Sequence, residues 1–338
     1  MRAFACPRCL SLIFFTNTRC LTCSAELAYQ PTSSEFVDLD LATPHAQACA
    51  NRSMIGCNWT AADDLCSCCA LTRTRPADDD PAGITAWTAV EEAKRQLVFQ
   101  LLEVGLPITP RTEHGAGLAF DLLSSSNAPV TTGHADGVIT IDLAEGDDPH
   151  REAVRVGLAE PYRTVLGHLR HETGHYYWPS LVGDTSTLPR FRLLFGNEES
   201  DYAAALETHY ATPDDNRWST RMVSHYAAAH PWEDWAETFA HYLHIRDTSQ
   251  TAAAWGMRVT GPDLALNVAS NAQLAAEPTE HIDEFDELIR SWLPLSYALN
   301  AINRSMGNHA LYPFILPEPV LHKLRFVHER ITQTDIAG

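Results

Sequence analysis

The chain has 338 residues, 45% of them hydrophobic, enough for one large domain with a real core and a smaller second one. Its net charge of -19 argues against a nucleic-acid or membrane-surface partner, because both are polyanionic. No apolar run approaches a membrane span, and residues 10–15 are too short and too closely flanked by cysteines for a signal peptide. The expected compartment is the cytoplasm. Lys94 and Lys323 are the only lysines, so positive charge is almost all arginine, which reads as a compositional bias rather than a functional signal.

All nine cysteines fall within the first 69 residues. Such clustering marks a separate cysteine-built module. Cys6-x-x-Cys9 and Cys20-x-x-Cys23 are two knuckles ten residues apart, and two knuckles close a tetrahedron of thiolates around zinc. Between them, Leu12, Ile13, Phe14 and Phe15 read as a strand. Cys49, Cys57, Cys66 and Cys69 make a second set for a second structural zinc. Cys68 is left over as a non-ligand, and His45 is an alternative to Cys49. A region of this length with few large apolar residues needs such metal staples to fold. A closed four-thiolate site leaves no open position for chemistry. Residues 73–83, with Pro76, three consecutive aspartates and Pro81, read as a linker. The expected domains are therefore a module at 1–75 and a larger domain at 84–338.

In the larger domain, apolar residues recur at helical spacing from Thr85 to about Val104. Short strands are expected at 118–123 and 138–143, the second bounded by Gly137 and the acidic run 145–148. A strand some thirty residues ahead of the next motif is a candidate edge strand for receiving an extended peptide. That motif is His171-Glu-Thr-Gly-His175. With residues 161–177 helical, His171 and His175 sit one turn apart and reach one metal ion. Glu172 lies beside them as base for a metal-bound water. His168, on roughly the same face, is left as a supporting or packing residue.

Further helices are expected at 198–209, 231–245 and 281–291. A two-histidine site with catalytic purpose needs a third protein ligand and one open position. The donor segment runs from His230 to His241: Pro231 fits a first helical position, and Glu233 with Asp234 gives an acidic first turn. Glu233 and Glu237 are one turn apart, so one carboxylate can bind metal while the other orients a ligating histidine. Trp232, Trp235 and Phe239 around them imply a partly buried face, where unpaired carboxylates are costly. Residues 293–326, rich in Asn, Pro and aromatics, are a candidate lining for a specificity pocket.

The whole arrangement resembles the bacterial putative zinc-binding metallopeptidases with an N-terminal zinc-ribbon-like domain. The resemblance rests on the paired knuckles, Cys57-Asn-Trp59, residues 191–202, Glu233-Asp-Trp-Ala-Glu237, and Asn303-Arg-Ser-Met-Gly307 through Tyr312-Pro-Phe314. More distantly, the Glu-x-x-Ala-Glu segment is similar to that of the anthrax lethal factor and related gluzincins. The resemblance implies that Glu233 is the zinc ligand, Glu237 its outer partner, and Tyr226 an oxyanion donor. It implies an α+β, zincin-like fold of a small sheet plus helices, with one catalytic and one or two structural Zn²⁺. The expected activity is zinc-dependent hydrolysis of peptide bonds in a peptide or protein substrate, with Glu172 as general base. The alternatives are a non-catalytic metal-containing scaffold that docks proteins through the ribbon, and a DNA-acting factor. Glu172 argues against the first. Against the second stands the scarcity of basic residues before the linker, namely Arg2, Arg8, Arg19 and Arg52.

Overall fold

The first two cysteine pairs fold the chain back on itself in the same way. Leu10 N donates to Cys6 O at 2.9 Å and Cys6 N to Ser11 O at 2.8 Å. In the second pair, Ser24 N donates to Cys20 O and Cys20 N to Ala25 O, both at 2.9 Å. The residue after each pair, Leu10 or Ser24, takes the left-handed conformation, with φ of 62° and 60°. The computed structural model describes residues 2–41, 47–112, 115, 117–126, 128–146, 164–261 and 285–335, so His45 lies outside the described residues. They group into two compact units, Met1–Glu103 with Pro107–Leu169, and Val104–Leu106 with Arg170–Gly338.

The first unit opens with two-stranded antiparallel pairs: β1 (Phe4–Ala5) with β2 (Leu12–Ile13), and β3 (Leu27–Gln30) with β4 (Glu35–Asp38). A third pair, β5 (Gln47–Ala48) with β6 (Thr60–Ala61), flanks the one-turn helix α1 (Arg52–Ile55). The strand expected to reach Phe15 stops at Ile13, because Asn17 Oδ1 captures Phe14 N at 2.7 Å and turns the chain. That turn delivers Phe15 to an aromatic core with Phe4, Tyr29, Phe36 and Trp59, completed by Phe99 from helix α2 (Pro81–Glu103). Ring centroids there lie 4.7 to 6.4 Å apart. The module is thus held by an apolar core as well as by its cysteines, which the count of large apolar residues underestimated.

Strand β7 (Thr72–Thr74) begins a four-stranded sheet of order β7-β8-β10-β9, with β8 at Ala119–Leu123, β9 at Gly133–Ala135 and β10 at Val138–Asp142. The first three neighbours are parallel, and β9 runs antiparallel to β10. Arg73 on β7 grips the buried Asp121 on β8, which also accepts from Thr74 Oγ1 at 2.7 Å. The β9–β10 turn is Asp136-Gly137, both at positive φ (48° and 80°). A Cβ on Gly137 would also lie 2.1 Å from Gly117 O. Inside α2, Glu91 and Lys94 form a fully buried ion pair of 2.7 Å, joined by Thr72 Oγ1 and by Trp87 Nε1 at 3.1 Å.

Helix α3 (Val165–Leu181) carries the His-Glu-Thr-Gly-His run; it outlasts the expectation and holds Pro179 in its last turn. Residues 161–163, expected to begin it, lie outside the described residues, as do 147–148 of the acidic run. The second unit continues with α4 (Leu188–Phe195), α5 (Tyr202–Ala211), α6 (Pro231–Ala254), α7 (Phe285–Ser305) and α8 (Glu318–Asp335). Helix α5 starts later than the expected 198, because Asp201 caps it by accepting from Ala204 N at 3.0 Å; residues 281–284, expected to begin α7, lie outside the described residues. Helix α6 is central, packing on α4, α7 and α8. Phe191 and Phe195 of α4, Trp235 of α6 and Phe326 of α8 form its main apolar cluster. Lys323 of α8 is the second buried lysine. It donates to Asp234 Oδ2 at 2.6 Å and to Arg221 O at 2.8 Å. Among the described residues, no helix is long and apolar enough to cross a membrane.

Candidate metal centres

Two thiol tetrads form in the first unit: Cys6, Cys9, Cys20 and Cys23, and Cys49, Cys57, Cys66 and Cys69. The Sγ–Sγ separations are 3.7 Å for Cys6–Cys23, 3.6 Å for Cys9–Cys20, 3.7 Å for Cys57–Cys66 and 3.6 Å for Cys57–Cys69. A disulfide needs about 2.05 Å. A tetrahedron of Zn–S bonds near 2.3 Å has edges of about 3.8 Å. The spacing therefore fits zinc and excludes disulfides. In the second tetrad, Cys66 N points at Cys49 Sγ (3.4 Å) and Cys69 N at Cys66 Sγ (3.3 Å), bonds that favour thiolate. Cys68 is fully buried outside this group, and burial pushes its thiol up.

The second unit builds a different cluster, and local sequence explains its placement. Pro231 starts α6, and His230 caps it, its Nδ1 accepting from Trp232 N at 3.1 Å while Nε2 meets Ser200. The first turn therefore carries Glu233 inward. Gly174, inside the His-Glu-Thr-Gly-His run, allows α3 and α6 to approach: a Cβ there would lie 3.1 Å from Ala236 Cα and 3.2 Å from Phe239 Cβ. Trp235 Nε1 donates to Gly174 O at 2.8 Å at the same crossing.

The result brings His171, His175 and Glu233 together, with donor atoms within 4.8 Å of one another and all three residues buried. Glu233 Oε2 lies 3.0 Å from His171 Nε2 and 3.5 Å from His175 Nε2. Zinc bound to nitrogen and oxygen at 2.0–2.1 Å would give tetrahedral edges of about 3.3 Å. The far nitrogen of His171, Nδ1, meets Glu237 Oε1 at 2.7 Å, and Ser224 Oγ donates to Glu237 Oε2 at 2.6 Å. Glu172 is buried on the same turn of α3 as His171.

The electrostatics call for a cation. Burial alone would raise the Glu233 carboxyl, but the hydrogen bonds of His171 and His175 hold it far below the usual carboxylate range. Burial would raise Glu237 too, yet the His171 contact keeps it down at about 2. Burial opposes a charged His171, and its two carboxylate partners hold it well above its ordinary value. Two carboxylates, one buried and one partly exposed, thus share one imidazolium. A divalent ion offers those carboxylates the same compensation and lets the ring act as a neutral ligand.

Tyr226, expected near the site, places its ring 5.9 Å from that of His171. Tyr202 was not singled out, although its hydroxyl donates to Glu233 Oε1 at 2.7 Å. Burial pushes both phenols up, so both are protonated donors. No spacing rule links Tyr202 to a glutamate 31 residues on. The one available signal was an aromatic residue directly after the capping Asp201.

His168 falls within the first unit and is engaged there, its Nδ1 against Glu145, which also accepts from Thr132 Oγ1 at 2.7 Å. His241 stands apart from the donor group; its Nδ1 meets Tyr312 OH at 2.9 Å. Asn300 fixes Tyr312 in the interior through two backbone bonds of 2.7 and 2.8 Å. Tyr312 is thus packed inward beside His241. A cavity of about 710 Å³ in this unit is lined by residues between Ala204 and Ala229.

Comparison with known proteins agrees with this geometry. Residues 83–330 match the family model described as putative zinc-binding metallo-peptidase, and residues 3–80 match a zinc-ribbon domain. The chain is 47% identical to proteins of Mycobacterium bovis and of two strains of Mycobacterium tuberculosis. The alignment covers 97% of this chain and 94% of each relative, and those relatives are described only as uncharacterized. No solved structure matches the chain significantly. With zinc named in both matched descriptions, three donor groups spaced for it, and a mixed α/β architecture behind them, the chain belongs to the putative zinc-binding metallo-peptidase family and carries an N-terminal zinc-ribbon domain.

Proposed function

We propose that the protein is a zinc-dependent peptidase of gluzincin type. It holds one catalytic zinc at His171, His175 and Glu233, and one structural zinc at each cysteine tetrad. The observation that carries this reading is the convergence of three buried donors from two helices, with Glu237 on the far nitrogen of one of them. Three protein donors leave a fourth position for chemistry, whereas the tetrads leave none.

Bound zinc supplies Lewis acidity, which polarises a carbonyl and acidifies water. Glu172 takes the proton of the attacking water and passes it to the leaving amine. Glu237 keeps His171 Nδ1 protonated, so that Nε2 presents its lone pair inward. Tyr202 fixes the free oxygen of Glu233, and the Tyr226 hydroxyl donates to the developing oxyanion. The substrate is a peptide or protein, the ribbon a docking unit for protein, and the compartment the cytoplasm. Nucleic acid is left out, in keeping with the state of the ribbon's arginines. Arg2 pairs with Glu103, Arg8 with Asp38 and Asp40, and both Arg19 and Arg52 with Glu26.

The test is a cleavage assay on a mixed peptide pool, with zinc content measured on every sample. Glu172→Gln should keep zinc and lose about 10²–10⁴ in rate, because an amide cannot accept the proton. His171→Ala should lose activity together with the cluster's zinc. Cleavage that survives unchanged in Glu172→Gln would overturn the proposal.

A further inference from the structure

The cavity in the second unit is linked to the His-Glu cluster through elements that support both. Helix α5 gives Tyr202 to Glu233 and gives Ala204, Ala205 and His209 to the cavity wall. On the opposite wall His225 immediately precedes Tyr226, whose ring faces His171. Arg221 and Met222 complete that wall, and their backbone is fastened to the start of α6. Lys323 binds Arg221 O at 2.8 Å and Asp234, next to Glu233, at 2.6 Å.

The lining chemistry selects an occupant. A row of rings leads from the cavity to the cluster: Trp218 to His225 at 6.1 Å, His225 to His209 at 4.3 Å, His209 to Tyr226 at 6.3 Å, and Tyr226 to His171 at 5.9 Å. Ala204, Ala205, Ala228 and Ala229 supply small apolar walls between the rings. Both carboxylates of the lining are already engaged, Asp215 by Arg217 and Asp214 by Trp218 Nε1 (3.0 Å) and Asn216 N (2.7 Å). Nothing there calls for a cationic guest, and exposed Arg221 repels one. Helix α5 itself is unfinished. None of its residues is buried, although a ten-residue helix owes most of its stability to packing one face.

The geometry points to this cavity as the side-chain pocket of the peptidase, taking a bulky uncharged aromatic residue of the substrate beside the scissile bond. The inference rests on the peptidase reading and names the substrate class for it. A peptide aligned with its carbonyl at the cluster lays a neighbouring side chain along the row of rings, where an aromatic guest stacks and covers Ala204 and Ala205 of α5.

The experiment measures calorimetric binding of four dipeptide hydroxamates to the zinc-loaded full chain. They differ only in one side chain: alanyl, phenylalanyl, tryptophanyl or lysyl. The aromatic ligands should bind roughly 10- to 100-fold tighter than the alanyl one, the gain expected for burying such a side chain, and the lysyl ligand should gain nothing. Ala205→Leu and, from the facing wall, Ala228→Leu narrow the pocket and should each collapse the phenylalanyl-to-alanyl ratio towards one at unchanged zinc content. Equal affinities across the wild-type series would overturn the pocket while leaving the metal centre standing. An aromatic preference untouched by both variants would place the reading of side chains elsewhere and overturn it too. If no hydroxamate binds the zinc-loaded chain, the peptidase reading falls, and the pocket inference with it.

Discussion

The cysteine tetrads and the His-Glu cluster use zinc-binding residues to opposite ends. Each tetrad gathers four donors within a short stretch, at most 21 residues from first to last, on turns whose backbone bonds close around the sulfurs. The cluster gathers three donors from two helices whose runs are 58 residues apart, Glu233 following His175. Its positions are fixed by a glycine crossing, a proline start and a histidine cap. A site made by local turns draws much of its order from its ion, while a site made by packed helices has its scaffold in place before the ion arrives. On the proposed reading, metal at the first kind would be a structural part and metal at the second a reagent held by structure.

The sharpest way to break that contrast is to remove one donor from each kind of site in the full chain. Cys57→Ser should cost the first unit its cooperative thermal transition, because structural zinc contributes apparent binding energies of about 10–16 kcal/mol, comparable to the stability of a whole domain. His171→Ala should empty the cluster but leave a folded second unit by circular dichroism. If His171→Ala unfolds the chain as thoroughly as Cys57→Ser, the distinction fails.

Next in size is the support of the cluster. Asp234→Asn strips the buried Lys323 of its counter-ion and should destabilise the second unit by about 3–5 kcal/mol in urea unfolding. The first unit's transition should not move. A loss under about 1 kcal/mol would mean that the pair is not what holds α6 to α8.

Smaller still, Glu237→Ala should weaken zinc at the cluster by about 10–100-fold in competitive chelator titrations, as losses of an outer partner do, with both tetrads unaffected. Glu233→Ala should empty the cluster outright. An opposite ranking of the two would exchange their roles.

The smallest effect concerns pH and the first unit's sheet. Arg73 holds the Asp121 carboxyl below its ordinary 3.8. Because the folded value is depressed, the stabilisation is complete above about pH 4 and is lost as the pH falls below it. Arg73 is half exposed, so the contribution should be under about 1 kcal/mol. Asp121→Asn should flatten the acid limb of the stability profile by that amount, and an unchanged limb would remove the pair from consideration.

What the sequence disclosed follows the same division. The cysteine knuckles and His171-Glu-Thr-Gly-His175 were legible because their donors share a turn, and helix or knuckle geometry alone relates them. The choice of Glu233 as ligand came from the Glu-x-x-Ala-Glu resemblance, and the helix carrying Glu233 and Glu237 was legible through Pro231 and the acidic first turn. Tyr202 was not, since only tertiary packing of α5 brings it to Glu233. The aromatic core was hidden for a similar reason: Phe99 joins Phe15 across more than eighty residues, and counting side chains within the module could not include it. The β9–β10 hairpin was readable in Asp136-Gly137 but was treated only as the edge of a strand.

The scarcity of lysine, set aside at first as composition, has a practical sequel. Lys94 is 0% exposed and Lys323 3% exposed, and each is clasped by a carboxylate. Every positive side chain left at the surface is a guanidinium or an imidazole, and neither reacts readily with an activated ester. Acylation of either lysine therefore reports that its own unit has opened. Peptide mapping of which lysine is acylated would give the chain a built-in gauge of unfolding in each half, needing no added probe.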